Sequence, residues 1–230
     1  QRVAARTSGG GGLELQLRGG GLLRARAVIL ATGTHGRSLP TPTLEHDRVV
    51  YRADRLPSQV GLELAVVGGG EAALDQALLA RTRLGHRVTV FIRDEAGSGA
   101  MPLLRQRCQE AGVRTEAGVR LVGVVPTGDP ELPLELELRR GASAEVRAAG
   151  ALLICVGKVP RLPALPDELV LDAAGTPRCD LLGRTSMPGL YLAGDLRRGR
   201  YRQVVVASAD GVLAAMHATR YLKGCPWTEE

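Results

Sequence analysis

Aromatic side chains are scarce in this chain: they make up 3% of its 230 residues, with one tryptophan and one phenylalanine. A platform that stacks bases on aromatic rings is therefore poorly supported, and no nucleic-acid partner is expected. Lysine is equally scarce, with only Lys158 and Lys223 present. The formal charge of +6 is thus carried by arginine, scattered along the chain as on a solvated surface. Such a surface favours an acidic protein partner or a phosphorylated cofactor. The four cysteines, Cys108, Cys155, Cys179 and Cys225, contain no C-x-x-C pair. That spacing argues against a zinc ribbon and a local redox dithiol, and no metal site is expected. Four reduced thiols and a cytoplasmic location are the expectation. Cys155 lies in an apolar run and reads as a small buried hydrophobe. No signal-peptide pattern is read at the start of the sequence, and no apolar run approaches the roughly 18 residues of a membrane span, so no membrane partner is expected.

What is present is organised around residues 62–73. Leu62, Leu64, Ala65, Val66 and Val67 suit a strand of a parallel sheet covered on both faces. Gly68, Gly70 and Ala73 then occupy the positions of a G-x-G-x-x-G/A fingerprint. The first glycine permits the tight turn, and the second lets backbone approach a pyrophosphate. The small third residue lets helix pack close to strand. The helix start would aim unpaired N–H groups and a positive dipole end at that phosphate. Dinucleotide binding is the favoured reading. The alternative is a plain strand–turn–helix whose glycines only make a turn.

On either side the pattern is mixed α/β. Residues 13–17 alternate apolar and polar between glycines at 9–12 and 19–21, as in a half-exposed strand. Leu22 and Leu23, then residues 27–31, predict further strands; the last runs into Thr32 and Gly33. Gly36, Pro40 and Pro42 mark the loop that follows. The chain opens directly in sheet-like sequence, which suggests an absent N-terminal segment. A first boundary is expected near Pro57. Leu74, Ala77, Leu78 and Leu84 mark a helix face that Gly85 ends. Residues 88–92 predict the second strand. Met101, Leu104, Cys108 and Ala111 recur at helical spacing as core packing, with Gly112 as cap. Short strands are expected near 119–125, 134–138 and 152–156. A second boundary follows Gly157, and Pro160, Pro163 and Pro166 make a linker. Residues 190–193 predict a buried strand that ends in Gly194 and Asp195. The final helix is expected over 204–222, with Val205, Ala209, Val212, Met216 and Leu222 facing inward.

Two places carry candidate chemistry besides the fingerprint. In an NAD site a carboxylate about 20 positions on holds the ribose 2′-OH. Here Arg93 stands near that position, and an arginine clamps a 2′-phosphate that a carboxylate would repel. NADP is therefore favoured, while neighbouring Asp94 and Glu95 keep NAD open. At the second place, Asp195 could accept hydrogen bonds from sugar-like hydroxyls while Gly194 admits close approach. Arg197, Arg198, Arg200 and Arg202 follow, and the helix start near Gln203 and Val204 would favour an anionic group such as a reduced flavin. The alternative is a capped helix beside a basic loop.

These segments, taken in order, carry a resemblance. Ala31, Thr32 and Gly33 come first, then the Gly68–Gly70 turn. Residues 155–160 read Cys-Val-Gly-Lys-Val-Pro, residues 185–195 read Thr-Ser-Met-Pro-Gly-Leu-Tyr-Leu-Ala-Gly-Asp, and residues 201–204 read Tyr-Arg-Gln-Val. The ordered set resembles thioredoxin-reductase-like flavoproteins of the class II pyridine nucleotide–disulfide oxidoreductases, from about residue 13 onward. The resemblance implies an α/β protein of two Rossmann-like three-layer domains. An NAD(P)H domain (58–157) would be inserted into an FAD domain split over 1–57 and 158–230. Gly68, Gly69, Gly70, Glu71 and Ala72 would meet the NADPH pyrophosphate and ribose, and Gly157 the nicotinamide half. Thr32, Gly33 and Gly194 would lie near FAD, Asp195 would hold its ribityl chain, and Arg202, Gln203 and Val204 would meet the ring end.

Three departures qualify that picture. Residues 49–57 hold no cysteine where thioredoxin reductases carry C-x-x-C, so thioredoxin reductase proper is rejected. The family's paired arginines after the second NADPH strand are reduced to Arg93. The first G-x-G-x-x-G, which grips the ADP half of FAD and supplies a central strand, is missing. The expected function is an FAD-dependent NAD(P)H oxidoreductase that passes hydride from NADPH to flavin and on to an unidentified acceptor. An acidic ferredoxin or a disulfide is the candidate acceptor. The alternative is a truncated, non-catalytic relative that binds NAD(P)H or a partner chain. A homodimer is expected, or docking onto a chain that supplies the missing segment. No side chain is assigned as catalytic acid or base, since His35, His46, His86 and His217 have no persuasive partner in the sequence.

Overall fold

The computed structural model describes residues 2–8, 12–17, 19–39, 45–199 and 201–227. Pro40, Pro42, Arg200 and the glycines at 9–11 lie outside the described residues. In chain order the first strands are β1 (Arg2–Ser8), β2 (Gly12–Gln16), β3 (Leu22–Ala25), β4 (Val28–Leu30), β5 (Thr34–Gly36), β6 (Val49–Val50) and β7 (Glu63–Val67). Helix α1 (Glu71–Arg83), β8 (Arg87–Ile92), α2 (Pro102–Glu110) and β9 (Arg114–Ala117) follow. Next come β10 (Arg120–Pro126), β11 (Leu134–Arg140), β12 (Ser143–Ala149), β13 (Ala151–Ile154) and β14 (Lys158–Pro160). Strand β15 (Leu190–Leu192) and helix α3 (Val204–Leu222) come last. The chain forms two compact units, one of residues 36–158 and one of residues 1–35 with 159–230.

In the unit of residues 36–158, a parallel sheet runs β6-β13-β7-β8-β9. Its strands are apolar on both faces because both are covered. Leu64, Val66, Val88, Val90, Ile92 and Leu153 pack with α1 and α2 through Leu74, Ala77 and Cys108. Their neighbours Ala65, Val67, Phe91, Leu152 and Ile154 face the antiparallel sheet β10-β11-β12 through Leu121, Leu134, Leu136 and Leu138. The result is three layers, helices on sheet on sheet.

The first boundary differs from the expectation at Pro57. Residues 45–57 belong to this unit, because β6 pairs with β13 and Ala53 and Leu56 enter its core. A two-residue strand and a single 3-10 turn (Ala53–Arg55) carry too short a pattern to reveal that. The second crossing falls at 158/159. Met101 also departs from its expected core role: it is 60% exposed, immediately before α2, while Cys108 on the same helix is buried. Pro102 sets the helix start, so Met101 stands outside the helical face.

The other unit contains the antiparallel meander β1-β2-β3 and the parallel pair β4-β15. Val28, Leu30, Leu190 and Leu192 pack with Leu13, Leu169, Met187 and Leu196. On the opposite face Tyr191 and Ala193 meet Ala214 and Ala218 of α3. Tyr191 and Tyr221 make edge contacts with the Trp227 ring at 5.0 and 5.2 Å.

Helix α3 has the expected bounds, but its inward face is not the expected one. Val205, Val212 and Met216 are 75%, 59% and 60% exposed, Leu222 is 41% exposed, and Ala209 is exposed too. The buried line is Asp210, Ala214 and Ala218. Small residues at 214 and 218 let the helix sit close on the β4-β15 pair. Asp210 tolerates burial because Arg197 and Arg198 ion-pair with it.

His86, just before β8, is fully buried, and neither ring nitrogen makes a well-formed hydrogen bond. Burial pushes its pKa below the ordinary 6.5, opposed by the Gln59 backbone. The unfolded chain therefore takes up a proton before the folded one as pH falls through 6.5. Stability is expected to be level above that pH and to fall below it. Urea denaturation at about pH 7.5 and about pH 5.5 checks this, and His86→Leu should reduce the acid-side loss.

Candidate functional site

Each unit gathers its candidate residues at the carboxyl edge of its parallel strands. In residues 36–158 the chain runs from β7 through α1 and α2 toward β9, then returns through the antiparallel sheet to β13 on the other side of β7. The chain continues from β7 into α1 but leaves this unit soon after β13. The ends of two adjacent parallel strands thus lead to different parts of the chain, and the carboxyl edge of such a sheet is where open α/β folds take ligands. Gly68, Gly69 and Gly70 follow β7, Gly157 follows β13 and Arg93 follows β8. The structure brings all five to one edge, with Glu71 and Ala72 opening α1.

The three glycines do different work. Gly68 has φ +145°, and a Cβ there would overlap the Cys155 carbonyl oxygen and stand 3.2 Å from the Ala73 Cβ. It permits close packing of β7, α1 and the end of β13. A Cβ on Gly69 would meet the Ile92 side chain at 2.7 Å. Gly70 is exposed and caps α1 in extended backbone, and a Cβ there would meet nothing within 4 Å. No side chain caps this helix start, so its first N–H groups are available to an anion. The space beside Gly70 is open, and no side chain covers the backbone there.

The loop after β8 is tied to this turn. The Ser98 hydroxyl and the Gly99 N–H both donate to the Gly69 carbonyl, at 2.8 and 2.9 Å. Sequence reasoning missed these two residues; their small size between glycines was the only signal. Arg93 is exposed. The Asp94 carboxylate accepts the Ala96 N–H at 2.9 Å, within its own turn. Gln76 donates to the Cys155 thiol at 3.1 Å, and burial pushes that thiol up to about 12. Cys155 is partly buried, and its burial disfavours the thiolate that a nucleophile needs. Gly157, at φ +104°, is exposed, and its carbonyl accepts the Arg37 N–H at 2.9 Å.

In the other unit, β4 and β15 run parallel, so their ends share an edge. Thr32 and Gly33 follow β4, and the 3-10 turn Gly194–Leu196 follows β15. The Thr32 hydroxyl donates to the Arg161 carbonyl. Gly194 has φ +72°, and a Cβ there would lie 3.5 Å from Ala207 in the first turn of α3. Asp195 is half-buried. Gln203 and Val204 are exposed at the α3 start, which no side chain caps. Arg202 donates to the Arg198 carbonyl at 2.8 Å. This edge can present a carboxylate, a glycine without a side chain and helix N–H groups together.

The family model for pyridine nucleotide-disulphide oxidoreductases matches residues 9–211. The chain belongs to the pyridine nucleotide-disulphide oxidoreductase family. Its relatives there include the thioredoxin reductase of Treponema pallidum (strain Nichols), 31% identical over 208 residues, covering 89% of this chain and 67% of that one. The thioredoxin reductase of Schizosaccharomyces pombe is 28% identical over 211 residues, covering 86% of this chain and 64% of that one. The solved thioredoxin reductase of Lactococcus lactis, in its FR conformation, superposes with TM-score 0.82 at 25% identity, over 94% of this chain and 72% of that one. The chain thus spans about two thirds of the length of these relatives. The α/β fold of the family is the fold found here.

Among the described residues there is no cluster of His, Cys, Asp or Glu suited to a metal ion. No described helix is long and apolar enough to cross a membrane. All four cysteines are free thiols.

Proposed function

We propose that this family member is an FAD-dependent NAD(P)H oxidoreductase, taking reduced pyridine nucleotide at the β7–α1 turn. The observation that carries this reading is the open backbone at Gly70, at the carboxyl edge of the parallel sheet where β7 leads into α1. Gly68 and Gly69 shape the turn, the α1 start and Gly70 offer N–H groups to the diphosphate, and Glu71 and Ala72 lie toward the ribose. Gly157 borders the nicotinamide half. Arg93 is free of the turn that occupies Asp94, and the Glu95 side chain packs beside Gly118. That arrangement favours a 2′-phosphate, hence NADP over NAD.

The edge of the other unit suits a flavin. Asp195 would accept from ribityl hydroxyls, Thr32, Gly33 and Gly194 would admit close approach, and Arg202, Gln203 and Val204 would border the ring. When both cofactors are bound, they supply the hydride transfer from nicotinamide to flavin. The chain's own part is to hold each cofactor and to place N–H dipoles beside developing negative charge. With no C-x-x-C pair in the sequence, the electrons leave to an outside acceptor, an acidic ferredoxin or a disulfide. Free thiols fit a cytoplasmic setting. A second copy, or a chain supplying a further segment, would cover the exposed Val205, Val212 and Met216.

The test is direct. The purified chain, incubated with FAD and gel-filtered, should carry a flavin absorbance band that bleaches on anaerobic addition of NADPH. Arg93→Glu should weaken NADPH binding about tenfold and leave NADH binding nearly unchanged, by calorimetry. A colourless protein that binds NADPH alone would instead support a non-catalytic relative.

A further inference from the structure

Asp210 is the one carboxylate of α3, and it is 1% exposed. Arg198 reaches it twice, at 3.0 Å from Nε and 2.5 Å from Nη2, and Arg197 reaches it at 3.2 Å. The Arg197 side chain is itself 5% exposed and also donates to the Asp180 carbonyl at 2.6 Å. The Arg198 carbonyl in turn accepts from Arg202. Two consecutive arginines are thus tied to one point on α3. They leave directly from the Gly194–Leu196 turn, whose closing hydrogen bond is the Arg197 N–H to the Gly194 carbonyl at 3.0 Å. The Asp210 carboxyl is held below its ordinary range, first by the Arg198 hydrogen bond, with burial opposing and the Gly194 N–H among the smaller aids. It stays ionised at neutral pH. An ionised group this deep is costly, and removing its partners or removing it strands a buried charge.

We propose that Asp210 is a positioning residue: by clamping Arg197 and Arg198 it fixes the Gly194–Leu196 turn, and so sets where Asp195 and the start of α3 stand. The clamp ties the strand end to α3, adding charged hydrogen bonds to the apolar contact of Tyr191 and Ala193 with Ala214 and Ala218. Asp195 can accept ligand hydroxyls productively only if that turn is held still. The toward-flavin part of this inference rests on the flavin reading above; the clamp itself does not.

Asp210→Asn keeps the shape and removes the charge. Two measurements on the full chain are read together, well below the variant's melting temperature. Amide hydrogen exchange at Arg197 should speed up tenfold or more, with exchange in β7 and β8 unchanged. FAD affinity, by quenching of its fluorescence, should weaken tenfold or more, with NADPH affinity unchanged within twofold. Arg198→Gln, which leaves the Arg197 contact to Asp210, should show smaller changes of the same sign, and it serves if Asp210→Asn does not fold. Unchanged exchange at Arg197 in both variants overturns the clamp. Faster exchange with unchanged FAD affinity overturns its role toward the flavin. If the unaltered chain takes up no FAD, the flavin reading fails, while the exchange measurement still decides the clamp.

Discussion

Gly70→Asp is expected to weaken NADPH binding about 100-fold or more, roughly 2.7 kcal/mol, with the fold intact. The reasons for the two halves of this prediction are separate. The position is exposed, in extended backbone, and an added Cβ meets nothing within 4 Å. Aspartate is also a favoured residue at a helix start, where its oxygen accepts from the first turn. The protein therefore has no reason to lose stability. The ligand does: a carboxylate would occupy the space above the turn and set a negative charge against a diphosphate. Calorimetric titration with NADPH and a thermal melt of the same sample check both halves. Unchanged affinity would remove the nucleotide from this turn, and with it the oxidoreductase reading.

Gly68→Ala should do the opposite, costing about 3 kcal/mol or more of stability before any ligand is considered. Its φ of +145° is strained for an alanine, and the new Cβ would overlap the Cys155 carbonyl oxygen. That oxygen belongs to backbone continuing from β13, so relief requires moving a central strand. Gly141→Ala is the control: its φ of +55° is also left-handed, but nothing lies within 4 Å of the added Cβ. It should cost only about 1 kcal/mol. Urea denaturation followed by circular dichroism distinguishes the two. A Gly68→Ala chain as stable as the Gly141→Ala chain would show that β7 packs more loosely against residue 155 than the close approach of their backbones implies.

Substitutions two positions apart thus separate ligand contact from packing. A sequence motif treats Gly68 and Gly70 alike as fingerprint glycines. Their surroundings differ because β13, some 80 residues later in the chain, returns beside β7 and crowds only the first of them. The same non-local return explains Ser98 and Gly99. They border the site because the loop after β8 folds back onto the Gly69 carbonyl, and no spacing rule states that.

The sequence by itself determined the strand, glycine turn and helix of residues 62–84, the second strand after it, and the length of α3. It also brought the candidate residues into an order that the family model matches over residues 9–211. Those features are local: an apolar run, a glycine, a 3.6-residue period. Tertiary structure alone decided that the first unit boundary lies at 35/36, that Met101 is exposed, and that α3 turns its larger apolar side chains outward. Periodicity measures where apolar residues lie on a helix, not how closely its neighbours approach. On α3 the close approach needs small side chains at 214 and 218, and the paired arginines make a buried carboxylate at 210 tolerable. The inward face of α3 was therefore set by residues outside the helix.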